Sequence, residues 1–387
     1  MRYSDDHGVL PKHRNFVDFV VRSDSESKAG GDTVQVEEYR KYLVRSGYDV
    51  RVLSFHLAMT FRDSAVVHIV NVDRPFDFLV AMKSAAGHRI IVSPIHHSLV
   101  HVRRMRLGES GFGLRSVLGK ILGENKREWL AFGARSIISA GSFVARIHAS
   151  VQFFQATPMV RNVWRRVGTA LDSADAVLLL AQGEGINLSV DTGWQGLNSV
   201  LIPNGRPTPE SSEISARSLP WALRDISILM VGRIEPRKRQ LDVARVARRL
   251  GISVTVVGPL RMLESKFAKD FLGEVETNEH LNWLGEMSHD EVLLTMGRSK
   301  VLLNASWVEV QSLVDLEAAF SGNFVVANDG GNSLEWLPEH VCIVPGGDIA
   351  DMLRLGQALV VGGGTGPGLP NYSWTWEGVS DKIRQVY

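Results

Sequence analysis

Cysteine is nearly absent: Cys342 is the only one in 387 residues. That excludes an intramolecular disulfide and a Cys-based zinc site, and it fits a reducing compartment. Cys342 lies in the apolar run Val341–Val344 and reads as a small core residue. Long hydrophobic runs are missing too, since nothing approaches the roughly 18–20 uninterrupted apolar residues of a membrane span. The N-terminus is polar as far as Arg14, and the apolar run after it is short and charged, so it does not read as a signal peptide. The expectation is a soluble cytoplasmic protein, at most peripheral to the inner face of the membrane. A net charge of +1 removes any global field that would pull the chain to nucleic acid or bilayer. The first strand is not followed by the G-x-G-x-x-G spacing, which disfavours a dinucleotide site.

What is present is a repeated strand–turn–helix pattern. Phe16–Val21 reads as a buried strand. Gly30-Gly31 follows it, then a helical pattern (Val34, Val36, Tyr39, Leu43) closed by Gly47, then a strand at Asp49–Ser54. This is a βαβ unit whose glycines let a ligand approach the backbone. Val66–Val70, Arg89–Ser93 and residues 176–181 add buried-type strands, making the first half an open parallel sheet with functional loops beyond its strand ends. A second series begins at Ile226 and continues with strands at 253–257, 301–304, 324–327 and 341–344. The Pro-, Ser- and charge-rich stretch 206–224 reads as a linker. The expected division is 1–198 and 199–370 as two sheet domains, with 371–387 as a closing amphipathic helix carrying Trp374, Trp376, Val379, Ile383 and Val386.

The stretch 302–331 holds the densest chemistry. Leu302–Ala305 reads as a strand end and Ser306–Gln311 as a loop. Ser312 caps a helix through Ser-x-x-Asp (Ser312, Asp315), and Gly322 stops it. Leu313, Leu316 and Phe320 give that helix one apolar face, with Glu317 bordering it; a carboxylate there is costly unless something hydrogen-bonds it. Glu309 precedes the helix, whose N-terminus attracts anions. Two carboxylates therefore frame a site suited to a phosphate, one able to touch what the phosphate carries and the other able to take ribose hydroxyls. Taken alone, the pair also suits a surface loop and a helix edge.

Gly232-Arg233 and Lys238 follow a strand of the second series, and two cations in a loop opening a helix suit a diphosphate. Arg237 and Arg239 beside Lys238 show how readily such a run is a solvated face. Asp329-Gly330-Gly331 offers unobstructed backbone at the same sheet edge. His96 and His97, just past the strand ending at Ser93, are placed to act as hydrogen-bonding or acid–base groups. Between Leu99 and Arg166 stand twelve Lys/Arg against three Glu, interleaved with the apolar stripe Leu114, Val117, Leu118, Ile121 and Leu122. Such a segment suits an anionic bilayer or partner, or equally a helix packed on its own domain with a solvated basic side.

The ordered set Gly232-Arg233-x4-Lys238, Glu309-x7-Glu317, Gly322, Gly330-Gly331 and Glu335 resembles the retaining family-4 glycosyltransferases (glycosyl transferases group 1). Pro203-Asn204-Gly205, Gly30-Gly31 and Tyr372-Ser-Trp374 extend the resemblance over nearly the whole chain. It implies a GT-B architecture: two Rossmann-like α/β domains facing across a cleft, with the C-terminal helix crossing back to the first. It implies that Arg233 and Lys238 bind the donor diphosphate, that Glu309 meets the sugar or its phosphate, and that Glu317 binds the ribose. By the same resemblance His97, or in its place His96, contacts the transferred sugar, while Gly30, Gly31, Asn204, Val310, Gln311, Ser312 and Leu313 line the donor site. His96, Arg103 and Arg104 fall on the acceptor side. No metal and no cofactor are implied beyond the nucleotide-sugar itself, and the acceptor partner is a glycan or lipid-linked molecule. The sequence departs from the family where Val310-Gln311-Ser312 stands for a Gly-Phe-Gly or Pro-Phe-Gly segment, and where Arg239 stands for a common glycine. Alternatives from other classes are a nucleotide-sugar-binding module without turnover, a GT-B enzyme acting on nucleic acid and a sugar-nucleotide epimerase. The interleaved apolar stripe argues against nucleic acid, and the Glu-x7-Glu spacing against the epimerase.

Overall fold

The computed structural model describes residues 15–25, 30–108, 126, 129–130, 132–134, 162–207, 213, 218–261 and 263–387. The apolar stripe of the basic segment, Leu114–Leu122, and most of the 206–224 stretch between 208 and 217 lie outside these residues.

The first domain runs β1 (Phe16–Val21), α1 (Gly31–Arg45), β2 (Asp49–Ser54), β3 (Val66–Val70), α2 (Pro75–Ser84), β4 (Arg89–Ser93), α3 (Leu99–Gly108), α4 (Val163–Asp172), β5 (Ala176–Leu179), α5 (Gln182–Thr192) and β6 (Ser199–Leu201). Its six strands are all parallel, in the order β2-β1-β3-β4-β5-β6. The runs of Val, Ile and Leu without alternation are explained by burial on both faces. Phe76, Phe78, Val167, Leu171 and Leu188 cover one face. Val36, Tyr39 and Leu43 of α1 cover the other. The boundary expected at 198/199 moves, because Ser199–Leu201 is the edge strand of the first sheet, paired with β5.

The second domain runs β7 (Ile226–Val231), α6 (Gln240–Leu250), β8 (Val254–Val257), α7 (Lys266–Thr277), β9 (Leu281–Trp283), α8 (His289–Gly297), β10 (Ser299–Asn304), α9 (Leu313–Phe320), β11 (Phe324–Asn328), α10 (Ser333–Trp336), β12 (Val341–Val344) and α11 (Ile349–Gly362). Its strands are parallel in the order β12-β11-β10-β7-β8-β9. Cys342 lies on the edge strand β12 and is half-buried rather than a full core residue.

α12 (Trp376–Val386) packs on the first domain. Its Trp376, Val379 and Ile383 are buried against Val17, Phe19, Val36 and Tyr39. The Tyr387 hydroxyl lies 2.7 Å from His68 Nδ1, between β1 and β4. A Cβ on Gly205 would come within 2.4 Å of the Trp376 backbone nitrogen, so only glycine admits this crossing. Strand order reverses between β1 and β3 in one sheet and between β7 and β10 in the other. Such reversal points open a crevice at the carboxyl ends of the strands, where ligands of doubly wound sheets bind.

Candidate active site between the two domains

The loops after β7 and β10 flank the second crevice, and the loop after β11 joins them. Gly232 opens the first at φ 141°, a conformation that favours glycine. Residues 236–238 form a 3₁₀ turn that ends at Arg239, in the left-handed region at φ 61°. That backbone explains why a glycine is common there. Here the arginine is held by a 2.7 Å hydrogen bond to the Gly347 carbonyl and by stacking over Trp307, 4.0 Å from the ring centre. Trp307 N–H donates to the Arg237 carbonyl at 2.9 Å, and Glu309 N–H to the Gly330 carbonyl at 2.9 Å. A Cβ on Gly330 would lie 2.3 Å from the Trp307 carbonyl oxygen, so the third loop can stack this closely only without a side chain.

This interlocking brings Lys238 and Arg237 onto Glu309. Lys238 Nζ donates to Glu309 Oε1, and Arg237 Nη1 lies 3.3 Å from the same oxygen. Arg237 also donates to the Val308 carbonyl at 3.1 Å. Burial alone would raise the Glu309 pKa, but the charges of Lys238 and Arg237 outweigh it and bring it down to about 2, with His97 adding to the effect. Arg233 lies 3.6 Å from Glu235 and is one-third exposed at 33%. The crevice thus presents Lys238 and Arg237 on the partly buried Glu309 carboxylate, and Arg237 and Arg233 on that of Glu235. Arg237, which the sequence shows only as a neighbour of Lys238, belongs to this cluster; its guanidinium also feels Asp32 of the first domain.

α9 starts as expected, with Ser312 Oγ accepting from Asp315 N–H. The Asp315 carboxylate is buried, accepting from Asn304 Nδ2 at 2.8 Å and from Ser333 Oγ at 2.6 Å, and so ties β10 to the start of α10. Burial pushes its pKa up to about 6 against those hydrogen bonds. Glu317, at the margin of the apolar face, is met by His289 Nε2 at 2.8 Å. That bond offsets the cost of a carboxylate at this border.

Val310 and Gln311 are buried. Gln311 Oε1 accepts from Asn204 N–H at 2.6 Å, its Nε2 donates to the Tyr372 hydroxyl at 3.2 Å, and that hydroxyl donates to the Asn204 carbonyl. The Gln311 side chain and the Asn204 backbone therefore join the two domains, and the buried Val310 side chain does not stand in the open cleft. Gly30 caps α1, and a Cβ on Gly31 would stand 4.0 Å from Leu313, which places the first-domain turn against the start of α9.

The two histidines part ways. Ile95 takes φ 45°, costly for a β-branched residue, at the turn beyond β4. His96 is turned inward at 1% exposure, its Nδ1 2.7 Å from Asp73 and its Nε2 3.0 Å from Asp191. Burial would lower its pKa, but the two carboxylates raise it to about 9. His96 is therefore a structural imidazolium and not an acceptor-facing group. His97 remains partly exposed, its Nδ1 2.5 Å from Asp73 Oδ2. With a carboxylate at Nδ1, Nε2 is the nitrogen left to meet a ligand. The buried Glu184 accepts from His96 N–H and Leu180 N–H, and burial pushes its pKa up to about 7.

Other contacts close the cleft. Glu335 accepts from Gln182 N–H at 2.8 Å and Gly183 N–H at 2.7 Å, capping α5 of the opposite domain, and Trp336 Nε1 donates to the Leu180 carbonyl. Arg104 and His101 on α3 reach Asp329 at 3.9 and 4.0 Å. Arg103 stands on the same helix. Among the described residues no cluster of three or more His, Cys, Asp or Glu side chains is placed to hold a metal ion, and no helix is long and apolar enough to cross a membrane.

Comparison with known proteins agrees with this geometry. Residues 211–355 match the family model described as glycosyl transferases group 1. Comparison with curated proteins found no match. Among solved structures, a sucrose-phosphate synthase from Thermosynechococcus elongatus superposes with a TM-score of 0.65 at 14% identity, covering 97% of this chain and 98% of that one. HepE from Anabaena, in complex with UDP and glucose, gives a TM-score of 0.51 at 14% identity over 96% and 99% of the two chains. An α,α-trehalose-phosphate synthase from Burkholderia xenovorans, in complex with glucose-6-phosphate, gives 0.52 at 12% identity over 90% and 76%. Two parallel six-stranded sheets facing across a cleft give this chain the GT-B architecture of those structures, and residues 211–355 of its second half match the glycosyl transferases group 1 model.

Proposed function

We propose that this protein transfers a sugar from a nucleoside-diphosphate donor to a glycan acceptor with retention of anomeric configuration. The observation that carries the reading is the meeting of Arg237 and Lys238 on Glu309 at the β7–β10 crevice, with Arg233 in the same loop on Glu235 and Glu317 on the adjoining helix. The diphosphate lies against Arg233 and Lys238, the ribose hydroxyls donate to Glu317, and the sugar rests between Glu309 and His97. As the bond from C1 to the phosphate oxygen breaks, its electron pair leaves with the diphosphate, where fixed cations stabilise the growing charge without reorganising. The acceptor hydroxyl attacks C1 from the same face, and its proton passes to the departing phosphate oxygen. The three side-chain cations supply the charge neutralisation, so no metal is assigned a step.

The acceptor comes from the first-domain side, past His97. The positive excess between 99 and 166 favours an acceptor that is anionic or carried on a lipid at the cytoplasmic face of a membrane. The reading is tested by incubating the protein with a panel of nucleotide-sugars and glycan acceptors, measuring nucleoside diphosphate released and the anomeric configuration of the product by NMR. Release with at least one donor, and a product of unchanged configuration, are expected. Inverted product would overturn retention, and binding of a nucleotide without turnover on any acceptor would leave only a binding module.

A further inference from the structure

We propose that His289 is a positioning residue for the nucleotide ribose: it holds the Glu317 carboxylate in the orientation that accepts the ribose hydroxyls. The inference rests on the donor-site reading above and adds to it a residue from a different helix. His289 is the first residue of α8, just after the N-cap Ser288. A capping box fixes that turn: Ser288 Oγ accepts from Glu291 N–H, and Glu291 Oε2 accepts from Ser288 N–H at 2.8 Å. The imidazole is thus carried on an anchored helix start. Its Nε2 meets Glu317 Oε1 at 2.8 Å, while more than half of the His289 side chain remains exposed.

A free glutamate on a helix samples several rotamers, and binding a ribose would have to fix one of them. A donor on Oε1 removes that cost beforehand and leaves Oε2, with the remaining lone pair of Oε1, for the two vicinal hydroxyls. The ring also sits at the seam between domains. Its pKa is raised first by the hydrogen bond to Glu317, against partial burial, and further by the charges of Glu317, of Asp290 on its own helix and of Glu38 on α1 of the first domain.

The test is calorimetric binding of uridine and guanosine diphosphates and of their 2′-deoxy forms to native protein, His289→Ala, His289→Gln, Glu317→Ala and the Glu317→Ala/His289→Ala double variant. Native protein is expected to prefer the better-bound ribonucleotide over its deoxy form by about tenfold, the scale of one hydrogen bond. His289→Ala is expected to weaken the ribonucleotide about tenfold and the deoxy form, which keeps only the 3′-hydroxyl, by less, so that the preference shrinks. His289→Gln, whose amide can reach the same place, is expected to retain most of it. In the Glu317→Ala background the His289 change should have no further effect. An undiminished ribo/deoxy preference in His289→Ala would overturn the inference while leaving the donor site standing. Failure of the native protein to bind either ribonucleotide would overturn both.

Discussion

At the residue scale, the site is an excess of cations around buried carboxylates whose charges are fixed by named partners. Arg233→Ala is expected to reduce kcat/KM for the donor by about 2–5 kcal/mol of transition-state stabilisation, the scale for losing a charged contact to the reacting group. Steady-state kinetics checks this, and an unchanged rate would remove Arg233 from the mechanism. Asp315 has a pH signature. Its folded pKa of about 6 lies above the ordinary aspartate value, so the folded state binds the extra proton and its contribution to stability falls as pH rises through that range. Asp315→Asn keeps acceptor and donor for Asn304 and Ser333 but cannot titrate. Relative to this variant, the native protein is expected to lose about 1–3 kcal/mol between pH 4 and pH 7.5, read by urea unfolding at both. Parallel curves would show that Asp315 does not titrate in this range. At this scale the sequence was half legible. Glu309, Glu317, Lys238 and Arg233 stand out because their spacing after strand ends is local. Asp73 and Asp191 do not, because they meet His96 from 23 and 95 residues away and no local period announces such a contact. Arg237 is equally hidden, since a basic run reads the same whether one member turns inward or all face water.

At the element scale, the helix starts carry the placement of the chemistry. Ser312 caps α9 and so sets the angle at which Glu317 leaves the helix. Ser312→Ala is expected to cost about 1 kcal/mol in urea unfolding, the usual loss for an N-cap. A loss near zero would mean that packing alone holds the helix start. Both this cap and the Ser288–Glu291 box are visible as four-residue patterns, and the structure keeps them. β6 was not visible in the same way. Ser199–Leu201 reads as a strand, but which sheet it joins depends on its pairing with β5 across the α5 connection, which no local pattern encodes. Gln311 and Asn204 are similar: their hydrogen bond spans 107 residues, and only the folded chain shows them linking the domains rather than standing open in the cleft.

At the scale of the whole molecule, two sheets of buried parallel strands are readable from their apolar runs, and the way they face each other is not. Their relative position is set by a few contacts: Glu335 on the N-terminus of α5, Gln311 with Asn204 and Tyr372, and α12 crossing back past Gly205. Removing the first contact leaves two amides at a helix end without their carboxylate. Glu335→Ala is expected to widen the cleft, seen as a larger radius of gyration by small-angle scattering, and to raise the donor KM several-fold with less effect on kcat. An unchanged radius and KM would show that the other contacts hold the domains by themselves.

The central claim is that the second-domain loops gather their cations and acids around one sugar-bearing diphosphate. Crystals of the native protein soaked with the nucleotide-sugar that turns over test it most directly. The expected density places the diphosphate against Arg233 and Lys238, the ribose on Glu317 and the sugar between Glu309 and His97. A nucleotide bound on any other surface, with these side chains untouched, would contradict it.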